Sequence, residues 1–293
     1  LMYAISIYTG FFLWRREALR NGHDPDFAET FLWYGVAGII FGARLGHCLF
    51  YETERYLANP IEILYFWKGG LASHGSTVLI PVMIYLFAKR HGAGFWRVAD
   101  MLLPGLAFAT GFIRIGNFFN SEIVGRPWDH ALAVVSVRYD RMMGIDPPIS
   151  RHPTAFYEVA MGFTTYFLLA WMIRKKIRRA GAGLISGTFL AVYFTFRFIV
   201  EFFKEYQVDK IADQALDIAQ TGGGLQLTMG QYLSIAPVSI GLFMIFWSLR
   251  QPKDAIPEPV SWQEKFAAQQ AEQAAKSEET AAKKKKKKKK KRG

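Results

Sequence analysis

Cysteine is nearly absent. Cys48 is the only one in 293 residues, so an intramolecular disulfide is excluded. It sits in an aliphatic run with no base beside it, which makes it a poor nucleophile. Charge is also scarce: 20% of residues are charged, whereas 51% are hydrophobic and 16% aromatic. Internal repeats are missing too. Pro81 and Pro237, which interrupt two apolar runs, do not occupy corresponding places in two halves, and this argues against an inverted-repeat transporter. The net charge of +12 resembles a nucleic-acid signal until it is located. Nine lysines from Lys283 to Lys291, with Arg292, supply ten charges and leave 26 basic residues against 24 acidic ones. The body is close to neutral, and no nucleic-acid partner is expected.

What the chain does have is apolar runs of membrane-spanning length. They are Leu1 to Trp14, Phe31 to Tyr51, Gly70 to Ala88, Val98 to Phe119, Pro153 to Ile173, Gly183 to Phe203 and Met229 to Leu249. The fold class expected is all-α: a polytopic membrane protein of about seven transmembrane helices. The first run is shorter than the roughly 20 residues a span needs, so the first helix is expected to be truncated. No basic stretch precedes it and no small-residue cleavage site follows, unlike a secretory signal peptide. Arg15, Arg16 and Arg20 follow the first run, Lys89, Arg90 and Arg97 the third, Arg174 to Arg179 the fifth, and the lysine tail the seventh. That basic bias makes their side cytoplasmic, with the N-terminus periplasmic and the C-terminus cytoplasmic. Residues 1–250 then form a transmembrane domain with a periplasmic insert over 120–152. Residues 251–293 read as a charged, disordered cytoplasmic tail, able to be helical in part but not to pack a core; its lysine run reads as a solvated end, with attraction to anionic lipid as the alternative.

Ionisable groups inside spans cost a few kcal/mol each and need a partner or a purpose. Arg44, His74, Arg114 with Asn117, Glu158, Arg197 with Glu201, and Gln231 with Ser234 all fall toward the external ends of six runs; Asp100 alone lies at the cytoplasmic end. A hydrated pocket in the outer half of the bilayer follows. Tyr193, Arg197 and Glu201 share one helix face at spacing four, so Arg197 and Glu201 are expected to pair; that pair taken alone is as well explained by a structural bridge as by function. Arg114 and Arg197, at similar depth on two helices, make a plausible phosphate clamp because guanidinium offers forked donors at fixed charge. His74, set among Gly69, Gly70 and Gly75, is a candidate base, although a lone histidine more often serves packing. No cysteine or second histidine lies at ligand spacing from it, so no metal site is expected. His152 precedes Pro153 and suits a helix start.

The run Arg114-Ile115-Gly116-Asn117-Phe118-Phe119-Asn120-Ser121-Glu122-Ile123-Val124-Gly125-Arg126 resembles the signature G-R-x-G-N-F-x-N-x-E-x-x-G of the bacterial prolipoprotein diacylglyceryl transferase family. Gly42 to Gly46 around Arg44, Gly69 to Gly75 around His74, Arg151 to Glu158, Tyr193 to Phe203 and Met229 to Ser234 resemble further family segments in the family's order. The departures are Ile113 for glycine, Ala155 for glutamine, Ser76 for glycine and His47 for tyrosine.

The resemblance implies a bacterial multi-pass inner-membrane enzyme. It would move the diacylglyceryl group of phosphatidylglycerol to the lipobox cysteine of a prolipoprotein and release glycerol 1-phosphate, with no cofactor. Its partners are phosphatidylglycerol, the prolipoprotein signal-peptide region and membrane lipids. It assigns catalysis to His74, Arg114 and Arg197. Asn117, Glu122 and Gly125 would shape the head-group site, Glu201 would orient Arg197, Tyr193 would line the pocket, and Arg44 would join in binding. Two rival readings are a homologue altered by its departures that binds phospholipid without transferring it, and a transporter, which would need polar groups through the inner half as well.

Overall fold

The computed structural model describes residues 1–50, 52–65, 67, 69, 70, 72–175, 182–205, 227–252 and 260–290, without the side chains of Ser73, His74, Met229 and 277–290. Most of the expected Lys204–Thr228 connection, part of the Arg174–Arg179 basic run and the His74 side chain lie outside the described residues. Among the described residues seven long helices form the bundle: α1 (Met2–Arg20), α2 (Pro25–Phe50), α4 (Ser73–Arg90), α5 (Phe95–Phe119), α7 (Thr154–Arg174), α8 (Leu184–Glu201) and α9 (Met229–Arg250). Two short helices, α3 (Thr53–Ala58) and α6 (Val137–Met142), and a two-residue hairpin of β1 (Val134–Val135) with β2 (Ser150–Arg151) lie in the connections. Five helices, α2, α5, α7, α8 and α9, are long and apolar enough to cross a membrane. The other two carry charge at an end: α1 finishes in Arg15, Arg16, Glu17 and Arg20, and α4 in Lys89 and Arg90. The protein is an all-helical polytopic membrane protein.

Packing runs α2 on α4, α1 on α5, α5 on α7, α7 on α8 and α8 on α9. Lipid chains are as apolar as leucine, so helices in a bilayer associate through close backbone approach at small residues rather than by hiding leucines. A Cβ on Gly75 of α4 would fall 1.9 Å from the Gly42 carbonyl oxygen of α2, and one on Gly187 of α8 2.9 Å from the Gly241 carbonyl of α9. The faces turned outward stay apolar, as with Phe41 and Phe50 of α2, Trp171 of α7, and Phe243 and Trp247 of α9. Inside, Trp14 packs among Phe27 and Phe31, and its indole N–H donates to the Ala28 carbonyl at 3.0 Å.

Asp100, the one polar group expected at the opposite end, caps a helix from its neighbour. Its carboxylate accepts from the Gly183 N–H at 3.0 Å, and from the N–H and hydroxyl of Ser186 at 2.9 and 2.6 Å. This satisfies orphan donors in the first turn of α8.

Residues Trp262–Lys290 form one helix, α10, where composition alone suggested disorder. Its alanine, glutamine, glutamate and lysine are strong helix formers. Ser261 and Glu264 exchange capping bonds at 3.3 and 3.1 Å, and Glu272 pairs with Lys276 at spacing four. The helix packs no core of its own and touches the bundle near Gly22, whose carbonyl accepts from Lys265 at 3.1 Å.

At that α1–α2 corner His23 stacks on Phe27 with ring centroids 3.9 Å apart. Burial, then the charges of Arg97 and Lys265, push its pKa from 6.5 down to about 4. The folded state thus releases the proton that the unfolded chain holds, and stability present above pH 6.5 is lost as pH falls toward 4. The melting temperature in detergent is expected to drop over that window, and His23→Gln to flatten the drop; equal slopes in both proteins would contradict this. Gly75→Ala is expected to cost about 1–3 kcal/mol by forcing α2 and α4 apart, read as a lower melting temperature than the unsubstituted protein.

Candidate functional site

The last two turns of α5 carry Arg114 and Asn117 on one face, and Arg114 donates to the Asn117 side-chain oxygen at 3.3 Å. The chain then reverses. Ser121 and Ile123 adopt left-handed backbone conformations, φ 56° and 58°, which non-glycine residues rarely do without a reason at a site. Glu122, held between them, folds back: its N–H donates to the Asn117 carbonyl at 2.8 Å, and its carboxylate accepts from the side-chain amides of Asn117 and Asn120.

Opposite this turn, one turn into α7, Glu158 has 0% exposure. Arg114 Nε lies 2.8 Å from one of its oxygens and Lys204 Nζ 2.7 Å from the other. Lys204 also reaches Glu201 at 3.1 Å. Burying a lone carboxylate costs several kcal/mol, and two cations in direct contact offset that cost. The start of α9 closes the arrangement, since a Cβ on Gly230 would meet the Glu201 carboxyl at 2.5 Å. A capping box between Thr228 and Gln231 fixes that helix start. Arg197 lies close enough for its charge to act on Glu158, and Tyr193 faces Arg114. Three carboxylates and three cations, from α5, the turn after it, α7, α8 and the residues just past α8, thus meet at one end of the bundle.

Arg114, Asn117, Glu122, Tyr193, Arg197 and Glu201 are therefore brought together. The pairing expected between Arg197 and Glu201 is corrected: among the described residues no ion pair joins them, and Glu201 instead holds Lys204, three residues on. Gly125 supports the turn from behind. A Cβ there would fall 2.1 Å from the His152 carbonyl oxygen, so only glycine lets the two strands lie this close. Arg44 stands apart from this set. It is 5% exposed, and its donors go to the backbone carbonyls of Glu62, Ile63, Gly69 and Gly70 at 2.6 to 3.1 Å. It thereby organises the connection before α4 and lines a polar cavity of about 160 Å³ with His47, Glu52 and Tyr56. His74 has its backbone in the first turn of α4. His152 stacks on Trp128, which stacks in turn on His130, both at 4.3 Å between centroids; burial first, and His130 second, lower its pKa.

Sequence reasoning missed Lys204, which lies just past the last apolar turn and reads as a loop residue. The available signal was its spacing, three after Glu201 and seven after Arg197, which continues the helix face of both. Glu158 was visible as a buried charge, but its central place was not.

The family model for prolipoprotein diacylglyceryl transferase matches residues 1–247. The phosphatidylglycerol-prolipoprotein diacylglyceryl transferase of Chromohalobacter salexigens is 36% identical over 254 residues, covering 87% of this chain and 88% of that protein. The protein of that name from Bordetella bronchiseptica is 36% identical over 256 residues, 86% and 90% of the two chains. That from Vibrio atlanticus is 34% identical over 265 residues, 88% and 89%. A match that runs through the whole bundle and includes the turn around Glu122 leaves no separate origin for the site and its scaffold: the chain belongs to the prolipoprotein diacylglyceryl transferase family.

Proposed function

We propose that this protein transfers the diacylglyceryl group of phosphatidylglycerol to the lipobox cysteine of prolipoproteins in the bacterial inner membrane, and releases glycerol 1-phosphate. The observation that carries the proposal is the set of cations around buried Glu158, at the end of a bundle whose outer faces are apolar. A lipid phosphate can reach such a site without leaving the bilayer. α1 and α4 complete seven spans in this reading, with the N-terminus periplasmic and the tail cytoplasmic, because the basic ends of α1, α4 and α7 lie on the opposite side from the charge cluster.

In the reaction the cysteine sulfur attacks the glyceryl carbon that bears the phosphate. The C–O bond breaks, and its electron pair leaves with the phosphate. The enzyme must accept the thiol proton, whose ordinary pKa is near 8.5, and stabilise the charge that builds on the departing oxygen. Arg197 suits the second task best. Among the described residues it has no ion-pair partner, so its fork is open to a phosphate, while its charge is balanced at longer range by Glu158. Arg114, already shared between Glu158 and Asn117, and Lys204 complete the positive wall. His74 takes or relays the thiol proton in this scheme. The chemistry calls for no metal or organic cofactor.

Two of the departures from the family segments have a place in the packing. Ser76 donates to the Ile39 carbonyl at 2.8 Å across the α2–α4 contact, and Ala155 is buried at the start of α7.

Turnover of phosphatidylglycerol and a lipobox peptide by purified variants tests the proposal. Arg197→Ala is expected to lower kcat by about 10²–10³-fold with little change in melting temperature. Arg114→Ala is expected to lose activity and also about 3–5 kcal/mol of stability, because Glu158 keeps only one contact cation. Full turnover in both variants would remove the clamp.

A further inference from the structure

Three stretches of chain meet where the insert rejoins the bundle: 124–127 after the signature turn, 151–152 before α7, and 203–205 after α8. Arg126 N–H donates to the Phe203 carbonyl at 2.9 Å, Glu205 N–H to the Val124 carbonyl at 2.8 Å, and His152 N–H to the Arg126 carbonyl at 2.9 Å. Gly125 pairs with Lys204, and Pro127 with Arg151, as antiparallel bridges. The Arg151 side chain crosses all three stretches at 2% exposure. Its Nε donates to Asp140 of α6 at 2.9 Å, and one terminal nitrogen donates both to the Gly125 carbonyl at 3.2 Å and to Glu205 at 3.1 Å. The guanidinium lies 5.2 Å over the Tyr139 ring.

We infer that Arg151 is a positioning residue for the transfer reaction: through Glu205 and the Gly125 carbonyl it sets the backbone at Lys204, and so the amine that contacts Glu158 and Glu201. The inference rests on the transferase reading and deepens it.

A lysine has four rotatable side-chain bonds and no fixed geometry of its own, so where its amine spends its time depends on where its backbone is held. Lys204 has to satisfy two carboxylates at once, at 2.7 and 3.1 Å, and it sits just past the end of α8, where only a long bond from its N–H to the Glu201 carbonyl, at 3.4 Å, continues the helix. What constrains it is the clasp. Its carbonyl accepts from Arg126 Nε at 3.0 Å, its partner across the bridge is Gly125, and the next residue is gripped by Arg151. Asp140, with no exposure, fills the other side of the guanidinium and accepts from the Ile149 N–H at 3.1 Å. The grip is thereby anchored in α6 rather than in the bundle helices, which gives that part of the insert a chemical connection to the site.

Two measurements on the full-length protein in lipid nanodiscs test this. In reductive methylation followed by mass spectrometry, Lys204 is expected to react slowly in the unsubstituted protein. It should react roughly fivefold faster or more in Glu205→Gln and Arg151→Gln, with exposed Lys89 unchanged as the control. Glu205→Gln, at a side chain 30% exposed, guards against a folding defect in Arg151→Gln. In turnover, Glu205→Gln is expected to lower kcat several-fold with KM within about twofold. That loss should vanish in a Lys204→Gln background, because the pathway it acts through is already gone. Unchanged Lys204 reactivity, or equal losses in both backgrounds, would overturn the inference. Failure of the unsubstituted protein to transfer would overturn the transferase reading instead, and the methylation rates would still report on the clasp.

Discussion

A carboxylate with no exposure to solvent, Glu158, is the group on which the rest of this structure depends. Nothing in an apolar bundle tolerates such a charge unless cations are brought to it. Arg114 comes from α5 and Lys204 from beyond α8, so meeting the need of Glu158 draws together elements that are distant in sequence. Each cation then imposes its own demand. Arg114 takes Asn117 and, through it, the strained turn that holds Glu122; Lys204 takes Glu201, over which the glycine at the start of α9 closes. In the proposed transfer, Arg114 and Lys204, which make Glu158 tolerable, also form part of the positive wall that a lipid phosphate would meet.

The scaffold follows from the solvent. Helices that cannot gain by hiding leucine from lipid approach through glycine and serine, and the tight Gly42–Gly75 and Gly187–Gly241 contacts are the result. They set helix positions closely enough that side chains from three helices, and from the segments after α5 and α8, converge. The other end of the bundle is held by different means: aromatic packing around Trp14, and the Asp100 cap on α8.

Much of this was legible beforehand. Runs of apolar residues mark spans because a bilayer admits little else, and the depth of each polar residue along its run placed Arg114, Asn117, Arg197 and Glu201 at one end correctly. Depth does not specify azimuth, however, and that is where the reading ran out. Arg44 sits at the right depth, but its guanidinium is consumed by four carbonyls of the neighbouring connection. Glu201 shares a face with Arg197 at ideal spacing and still prefers Lys204, which no hydropathy pattern would select because it lies beyond the apolar run. The helix over 262–290 shows the converse: a segment without a core can still take regular structure when propensity and a capping box agree.

Mass spectrometry of a lipobox peptide incubated with phosphatidylglycerol tests the central claim most directly, using the unsubstituted protein beside Glu158→Leu. The account predicts a mass increase of one diacylglyceryl unit with the first protein and none with the second. No increase with the unsubstituted protein, or equal increases with both, would contradict it.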